Sequence, residues 1–371
     1  MLLRGRHYES GRPIDVRHED GRIVALKAEA GPEPADREAG WIAPALFDLQ
    51  INGCLGISFN SPTLTSDQVR TVVTECRRHG ISGFLPTVIT NSSGAIAHGF
   101  KTVVRAIESD SAVAAAVPGF HLEGPYISSD DGPRGAHPKE YVRDPDADEF
   151  RRWQDAAGGR IRLVTLAPER PGALPFIEQL AKSGVVVAIG HTAATPAQIR
   201  DAIAAGARLS THLGNGSHAV LPRHDNYVWE QLAADELWAS VIPDGHHLPA
   251  SIVKSIVRVK TPARTIITCD ASSLAGLRPG RYREWGMDLE VQPGGKVVVP
   301  GTPFLAGSGV FTDTCVAGAI RMAGVSLADA IDMASTRPRE LLGLRPAGLP
   351  MMLFDWEPGG DFVVRDVFGA G

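Results

Sequence analysis

What this chain lacks narrows what it can be. It contains no apolar run of about 18 residues, so no helical membrane span is expected. It contains no lysine–arginine run, and its net charge is a mild −5, so nothing marks a surface for nucleic acid or acidic membranes. Cysteine is scarce: Cys54, Cys76, Cys269 and Cys315 are scattered without CxxC spacing, which reads as reduced, buried thiols and not as a disulfide framework. The opening stretch, MLLRGRHYESGRP, is too short in apolar residues for a signal peptide. The cytoplasm is therefore the expected compartment. What is present is the composition of a folded globular chain: 371 residues, 43% hydrophobic and 21% charged, enough for one large domain or one large and one small.

The two ends differ from the middle. Residues 1–43 are polar with short extended pieces and a hairpin signal at Asp20-Gly21. The other end offers the strand-like MMLFDW and DFVVRDVF around Pro358-Gly359-Gly360. A small β unit built from both termini is expected, with boundaries at 1–43 and 345–371 around a middle of 44–344.

The middle alternates. Apolar, β-branched runs fall at about 46–52, 81–89, 115–123, 161–167, 185–191, 207–213, 238–243 and 264–270, with helix-like segments between several of them. Over 65–79, Val69, Val72, Val73 and Cys76 form a helical stripe, and Thr65 with Gln68 has capping-box spacing. Over 195–205 the box recurs as Thr195 and Gln198, with Pro196 at the first helical position. Further helices are expected over 249–259, 308–323 and 327–336. The class is α/β. A (β/α)8 barrel fits this pattern, and a doubly wound open sheet is the alternative.

The reactive residues discriminate between the two. The third candidate strand ends in HLEGP, with His121 and Glu123. The fifth ends at His191, the sixth at His212, the seventh in PDGHH with Asp244, His246 and His247, and the eighth at Asp270. Alone, each of these is more simply a packed or capping residue. Together they would meet at one face of a barrel, whereas an open sheet would spread them along an edge. Glu123, His191 and His212 then supply one carboxylate and two imidazoles, the ligand set of a catalytic zinc or similar divalent site with a position left for water. Bound zinc lowers the pKa of its water to about 7. Asp270 is suited to carry a proton and His247 to polarise a carbonyl. The chemistry is metal-assisted hydrolysis of an amide or related C–N bond.

With these residues in view, the chain resembles the N-acetylglucosamine-6-phosphate deacetylases of the amidohydrolase superfamily. The matching pieces are PALFDLQING, HLEGPYI followed by RGAHP, GHTAAT, GARLSTHL, DGHH, CDA with LAG after it, and LAGS, spanning about 44–309 in the family's order; ASTRPRELLGL resembles the family's closing helix. The resemblance implies a barrel with a small β-sandwich from both termini, and a homodimer. It implies that Glu123, His191 and His212 hold one divalent ion per subunit, with zinc preferred over iron, cobalt or manganese. It makes Asp270 the general base and then acid. It places His247 on the acetyl carbonyl and His137 on the sugar, and gives His246 no set role. In FDLQIN, Gln50 and Asn52 stand where two-metal relatives carry a histidine pair. Neutral amides are weak ligands for transition metals, and a branch of the family with the same Gln-x-Asn works with one ion.

The family usually follows Thr-His-Leu with an aromatic residue and Asn-Ala-Met. Here the loop reads THLGNGSHAVLPRHDN, with Asn215 kept, Gly214 for the aromatic and Gly216-Ser217 for Ala-Met. Family members use this loop, and an arginine reached across the dimer, for the sugar phosphate. Arg223, with His224, has a compatible spacing and would grip an anion. The expected reaction is removal of the N-acetyl group from an amino sugar, N-acetylglucosamine 6-phosphate first. Amide hydrolysis on a different N-acyl substrate is the alternative, and a non-catalytic sugar-phosphate-binding protein stands last. The 275–304 segment interrupts the barrel with a hairpin at MDLEVQPGGKVVV. Tyr282 and Trp285 there are placed for a sugar ring or, equally, for packing.

Overall fold

The computed structural model describes the chain except residues 20–21, 28–30, 285–286, 303, 345–347 and 370–371. Eight parallel strands follow one another in sequence order around a barrel: β1 Leu46–Ile51, β2 Ile81–Ile89, β3 Phe120–Glu123, β4 Ile161–Leu166, β5 Val186–Ile189, β6 Ala207–Ser210, β7 Trp238–Val241 and β8 Thr265–Ile267. β1 and β8 are not joined by a ladder. They meet beyond their ends in a single bridge, Ile51 to Ala271, where the Asn52 amide donates to the Ala271 carbonyl at 2.8 Å. The barrel therefore has a seam.

The interior below the mouth is filled by Phe47, Leu49, Leu85, Leu163, Ala188, Leu209 and Ile266. With Trp238 of β7, seven strands contribute to that cluster, which is possible only inside the barrel. The helices cover the outside with apolar stripes. Ser66–Arg78 buries Val69, Val72, Val73 and Cys76, and the Thr65–Gln68 capping box forms with both of its hydrogen bonds. Pro196–Ala205 has the same box at Thr195 and Gln198 and its proline in the first turn. The expected helices near the end appear as Ala250–Lys260, Thr312–Ala323, Leu327–Met333 and Thr336–Leu341. Several strands are shorter than their apolar runs, and the third starts latest within its run. Residues 115–116 end a helix, Ser111–Ala116, because alanine favours helix and Asp110 caps the first turn through the amides of Ala112 and Val113.

The termini share one six-stranded sheet, ordered Val363–Phe368, Met351–Asp355, Arg37–Pro44, Leu2–His7, Pro13–Glu19, Arg22–Lys27. In a flat sheet the first and fifth of these would lie about 19 Å apart at the usual strand spacing. The rings of Phe368 and His18, on those two strands, lie 6.2 Å apart. The sheet is thus folded back on itself around Leu3, Ile14, Val16, Ile42, Leu353 and Phe368, as a small sandwich would be. The tip of the Asp20-Gly21 hairpin and the expected joint at 345 lie outside the described residues; Glu19 and Arg22 do pair across that tip.

The 275–304 insertion forms most of a four-stranded antiparallel sheet: Gly280–Glu284, Met287–Val291, Lys296–Val298 and Leu305–Ser308. Its last strand bridges back to Ala271 through Ser308 and so stands over the mouth of the barrel.

Candidate active site

The mouth holds a cavity of about 340 Å³. Its floor is formed by Glu123, His191, His212 and Asp270, and its rim by His137, the 214–218 loop, His247 and residues 304–307 of the insertion. Among the described residues, no lysine or arginine lines it.

Glu123 ends β3, and His191 and His212 follow β5 and β6 by two residues. Both histidines have positive φ, 51° and 31°, and Asp270 beyond β8 has φ 50°. Non-glycine residues rarely adopt this conformation, and they cluster at functional sites where the surroundings hold them there. The backbone enters this strained geometry at the same place on three strands. Gly190, just before His191, is a matching constraint, since a Cβ there would lie 2.8 Å from side-chain atoms of Thr165 and Thr211.

Glu123 Oε1 lies 3.2 Å from His191 Nε2 and 3.1 Å from His212 Nε2, and the two Nε2 atoms are 3.1 Å apart. All three side chains are buried, and they form a group whose ligand atoms converge on one point. His191 Nδ1 faces the Pro133 carbonyl at 2.8 Å, which requires the proton on Nδ1 and leaves an Nε2 lone pair pointing at the other ligand atoms. Lone pairs so close together repel unless a cation lies among them, so this donor set fits a divalent ion. Burial pushes the His212 imidazole down, which keeps it neutral and able to ligate. Burial alone would raise Glu123; its contacts with His191 and His212 outweigh that and hold it well below the ordinary carboxylate range.

Across the floor, Gln50 joins the two carboxylates. Its amide nitrogen donates to Glu123 Oε1 at 2.9 Å and to Asp270 Oδ1 at 3.0 Å. Asn52 donates a second amide bond to Asp270 Oδ1 at 2.8 Å. Burial, with the nearby charge of Glu123, raises Asp270 well above the ordinary range. FDLQIN thus bridges Glu123 and Asp270 through side-chain amides and adds no imidazole or carboxylate to the Glu123–His191–His212 group.

His247 reaches the cavity from the loop after β7. Its Nδ1 pairs with Asp244 Oδ2 at 2.7 Å, and Asp244 Oδ1 caps the amides of His246 and His247. Burial opposes ionisation of Asp244, but the His247 contact and these amides hold it at about 2. Asp244 therefore orients the ring and leaves Nε2 for a ligand. The i, i+3 spacing within DGHH was a signal for this pair, although the sequence reading named Asp244 without a role. His246 does not line the cavity; its Nε2 faces the Gly294 carbonyl at 2.9 Å and ties the insertion's hairpin to the barrel. His137 lines the cavity with Nδ1 on Thr90 Oγ1 at 2.8 Å and Nε2 4.0 Å from Glu123, and burial pushes its pKa down to about 3. His121 lies beneath, against Thr165 and Thr87.

Asn215 lines the cavity and donates to the His212 carbonyl. Arg223 and His224 do not line it; both are exposed on the turn before Tyr227–Ala233. Tyr282 packs with Leu289, Val291 and Val297 beneath the insertion, away from the cavity, and Trp285 lies outside the described residues. Phe304 and His218 also line the cavity; no spacing in the sequence marks them, because each depends on how a loop folds over the mouth.

Residues 41–349 match the amidohydrolase family. The chain is 33% identical over 333 residues to N-acetylgalactosamine-6-phosphate deacetylase of Escherichia coli O157:H7, covering 89% of this chain and 85% of that protein. It is 34% identical over 337 residues to human N-acetylglucosamine-6-phosphate deacetylase, covering 88% and 79%. A Mycobacterium smegmatis N-acetyl-D-glucosamine-6-phosphate deacetylase variant, solved with N-acetyl-D-glucosamine-6-phosphate, superposes with a TM-score of 0.87 at 31% identity over 98% of this chain and 99% of that one. The architecture, the converging Glu123–His191–His212 group and these likenesses agree: the chain belongs to the amidohydrolase family, within its N-acetylglucosamine-6-phosphate deacetylase branch.

Proposed function

We propose that this chain hydrolyses the N-acetyl group of an N-acetylhexosamine 6-phosphate, N-acetylglucosamine 6-phosphate first, releasing acetate and the free amine. The observation that carries the reading is the single Gln50 amide joining Glu123 to Asp270: an ion site and a proton carrier stand one side chain apart on the floor of a cavity large enough for a monosaccharide.

Glu123, His191 and His212 would hold one divalent ion, zinc before iron, cobalt or manganese. When bound, such an ion supplies an acidified water and polarises the amide carbonyl. Asp270 takes the water's proton. Both amide donors go to its Oδ1, so Oδ2 is the atom that carries the proton and returns it to the departing nitrogen. To polarise the acetyl oxygen, His247 would carry a proton on each ring nitrogen, donating Nδ1–H to Asp244 and Nε2–H to that oxygen. His137 and Asn215, both in the cavity lining, bind the sugar.

The phosphate needs a cation, and among the described residues no lysine or arginine lines this cavity. Arg223, with His224, is exposed outside its own cavity, so we assign the pair to a neighbouring copy's site in a homodimer. The exposed Val220 and Trp229 beside them support a covered surface there. The terminal unit, 1–43 with 345–371, and the barrel, 44–344, are read as the two domains, supported by the separate apolar cluster of the terminal sheet. Four buried free cysteines, and no described helix long and apolar enough to cross a membrane, support the cytoplasm as the compartment.

The test is acetate release from N-acetylglucosamine 6-phosphate, its galactosamine epimer and both unphosphorylated sugars, with light scattering for the dimer. Turnover of a 6-phosphate well above its unphosphorylated sugar is expected. Equal rates with and without phosphate would remove the role given to Arg223, and turnover of none would end the reading.

A further inference from the structure

The chemistry described above makes no use of one fully buried charge, Asp48. It lies on β1 in the layer between barrel and helices, with no solvent exposure. Its Oδ1 accepts the backbone N–H of Gln50 at 2.8 Å and the Thr268 hydroxyl; its Oδ2 accepts the backbone N–H of Cys269 at 2.9 Å and the Thr312 hydroxyl at 2.6 Å. Each oxygen thus takes one backbone amide and one hydroxyl. Burial pushes the carboxyl up, and these four donors oppose it.

The place of these bonds is informative. The β1–β2 register shifts between Asp48 and Ile51, and β1 and β8 share only the Ile51–Ala271 bridge. Backbone N–H groups at such a break need acceptors from elsewhere. Asp48 supplies them to Gln50, whose side chain spans to Asp270, and to Cys269, the residue before Asp270. It also ties in helix Thr312–Ala323 through Thr312. A buried carboxylate is costly to hold and is weak evidence for stability, since apolar replacements are often as stable.

We propose that Asp48 is a positioning residue for the reaction: by stitching the β1–β8 seam from behind, it sets the Gln50 and Asp270 side chains in register with the ion site. This rests on the reading of Asp270 as the proton carrier. Asp48 touches neither substrate nor ion and acts through those two residues.

Asp48→Asn keeps the size but turns one oxygen into a donor, which then meets a backbone N–H whichever way the amide faces. A misplacement of about 1 Å can cost 10²-fold in rate, so kcat should fall about 10- to 100-fold, with KM and metal content within about twofold of the parent. Thr268→Val and Thr312→Val remove one hydroxyl each at constant volume, and should lower kcat about threefold to tenfold each. Thr268→Ser and Thr312→Ser keep the hydroxyl and should restore it. A packing role would give the reverse order, with serine worse than valine, and would overturn the proposal. So would parent-like kcat in both valine variants, which fold even where Asp48→Asn does not. A crystal structure of Thr268→Val separates this from the functional reading. If the parent releases no acetate, the functional reading fails. The positioning claim is then decided by whether Asp270 has moved relative to Glu123, His191 and His212, and an unmoved Asp270 refutes it.

Discussion

The two sides of the barrel mouth are built differently. Glu123, His191 and His212 extend from β3, β5 and β6, which lie within an unbroken run of paired strands, and two of them turn inward on left-handed backbone. Asp270, Gln50 and Asn52 stand at or just beyond the ends of β1 and β8, at the seam, where one bridge replaces a ladder and side-chain amides help the aligning. Both sides turn inward on left-handed backbone, at His191 and His212 and at Asp270; the Asp270 side is aligned by side-chain amides as well. An ion needs ligands fixed in space. A proton carrier needs a raised pKa, which burial and the charge of Glu123 supply against the pull of the amides, and one free oxygen, which the amides leave by both donating to Oδ1.

The comparison can be broken from the ligand side first. Glu123→Gln should leave less than a tenth of the metal in the protein, measured by elemental analysis, and lower kcat/KM by about 10⁴-fold, because the ion's polarisation is worth several kcal/mol. On the seam side, Asp270→Asn should keep about one ion per chain and lower kcat by about 10³-fold, the middle of the range for proton transfer; loss of the ion as well would mean that Asp270 is a ligand and that the two sides are one. Gly216→Ala sharpens the ligand side from behind. Gly216 has φ +57°, and an added Cβ would lie 2.9 Å from His191 Nδ1, against its bond to Pro133. Metal affinity should drop about 10-fold, as for other losses behind a ligating histidine, with kcat at saturating metal little changed.

The smallest effect tests His247's support. Asp244 is held at about 2, below the ordinary carboxylate value. A group depressed on folding stabilises the fold fully above its unfolded pKa and loses that contribution as pH falls through its folded pKa. The difference in unfolding free energy between parent and Asp244→Asn should therefore be constant from pH 7 down to about 4 and shrink towards pH 2. A difference that grows in that window would mean that Asp244 is not held ionised.

Much of the ligand side was legible before any coordinates. Glu123, His191 and His212 stand where apolar runs stop, and in a barrel all such ends share one face. The Thr65–Gln68 and Thr195–Gln198 boxes were legible too, because a cap is a local pattern. The third strand was read too long because an alanine-rich run suits a helix as well as a strand. Arg223 has a suggestive spacing, but whether it reaches any site depends on a neighbouring copy. Asp48 lies in the FDLQIN stretch and drew no role, since its partners Thr268, Cys269 and Thr312 lie more than 200 residues away.

By itself the sequence determined the alternation of strand and helix and the residue types available for an ion and a proton carrier, with neutral amides at Gln50 and Asn52. These follow from local periodicity and side-chain chemistry, which distance along the chain does not alter. Only the tertiary structure decided that Gln50 links Glu123 to Asp270, that both amides choose the same oxygen, and that the barrel closes at a seam held by Asp48. Each of these is a contact between segments far apart in sequence, and its geometry exists only once the chain has closed.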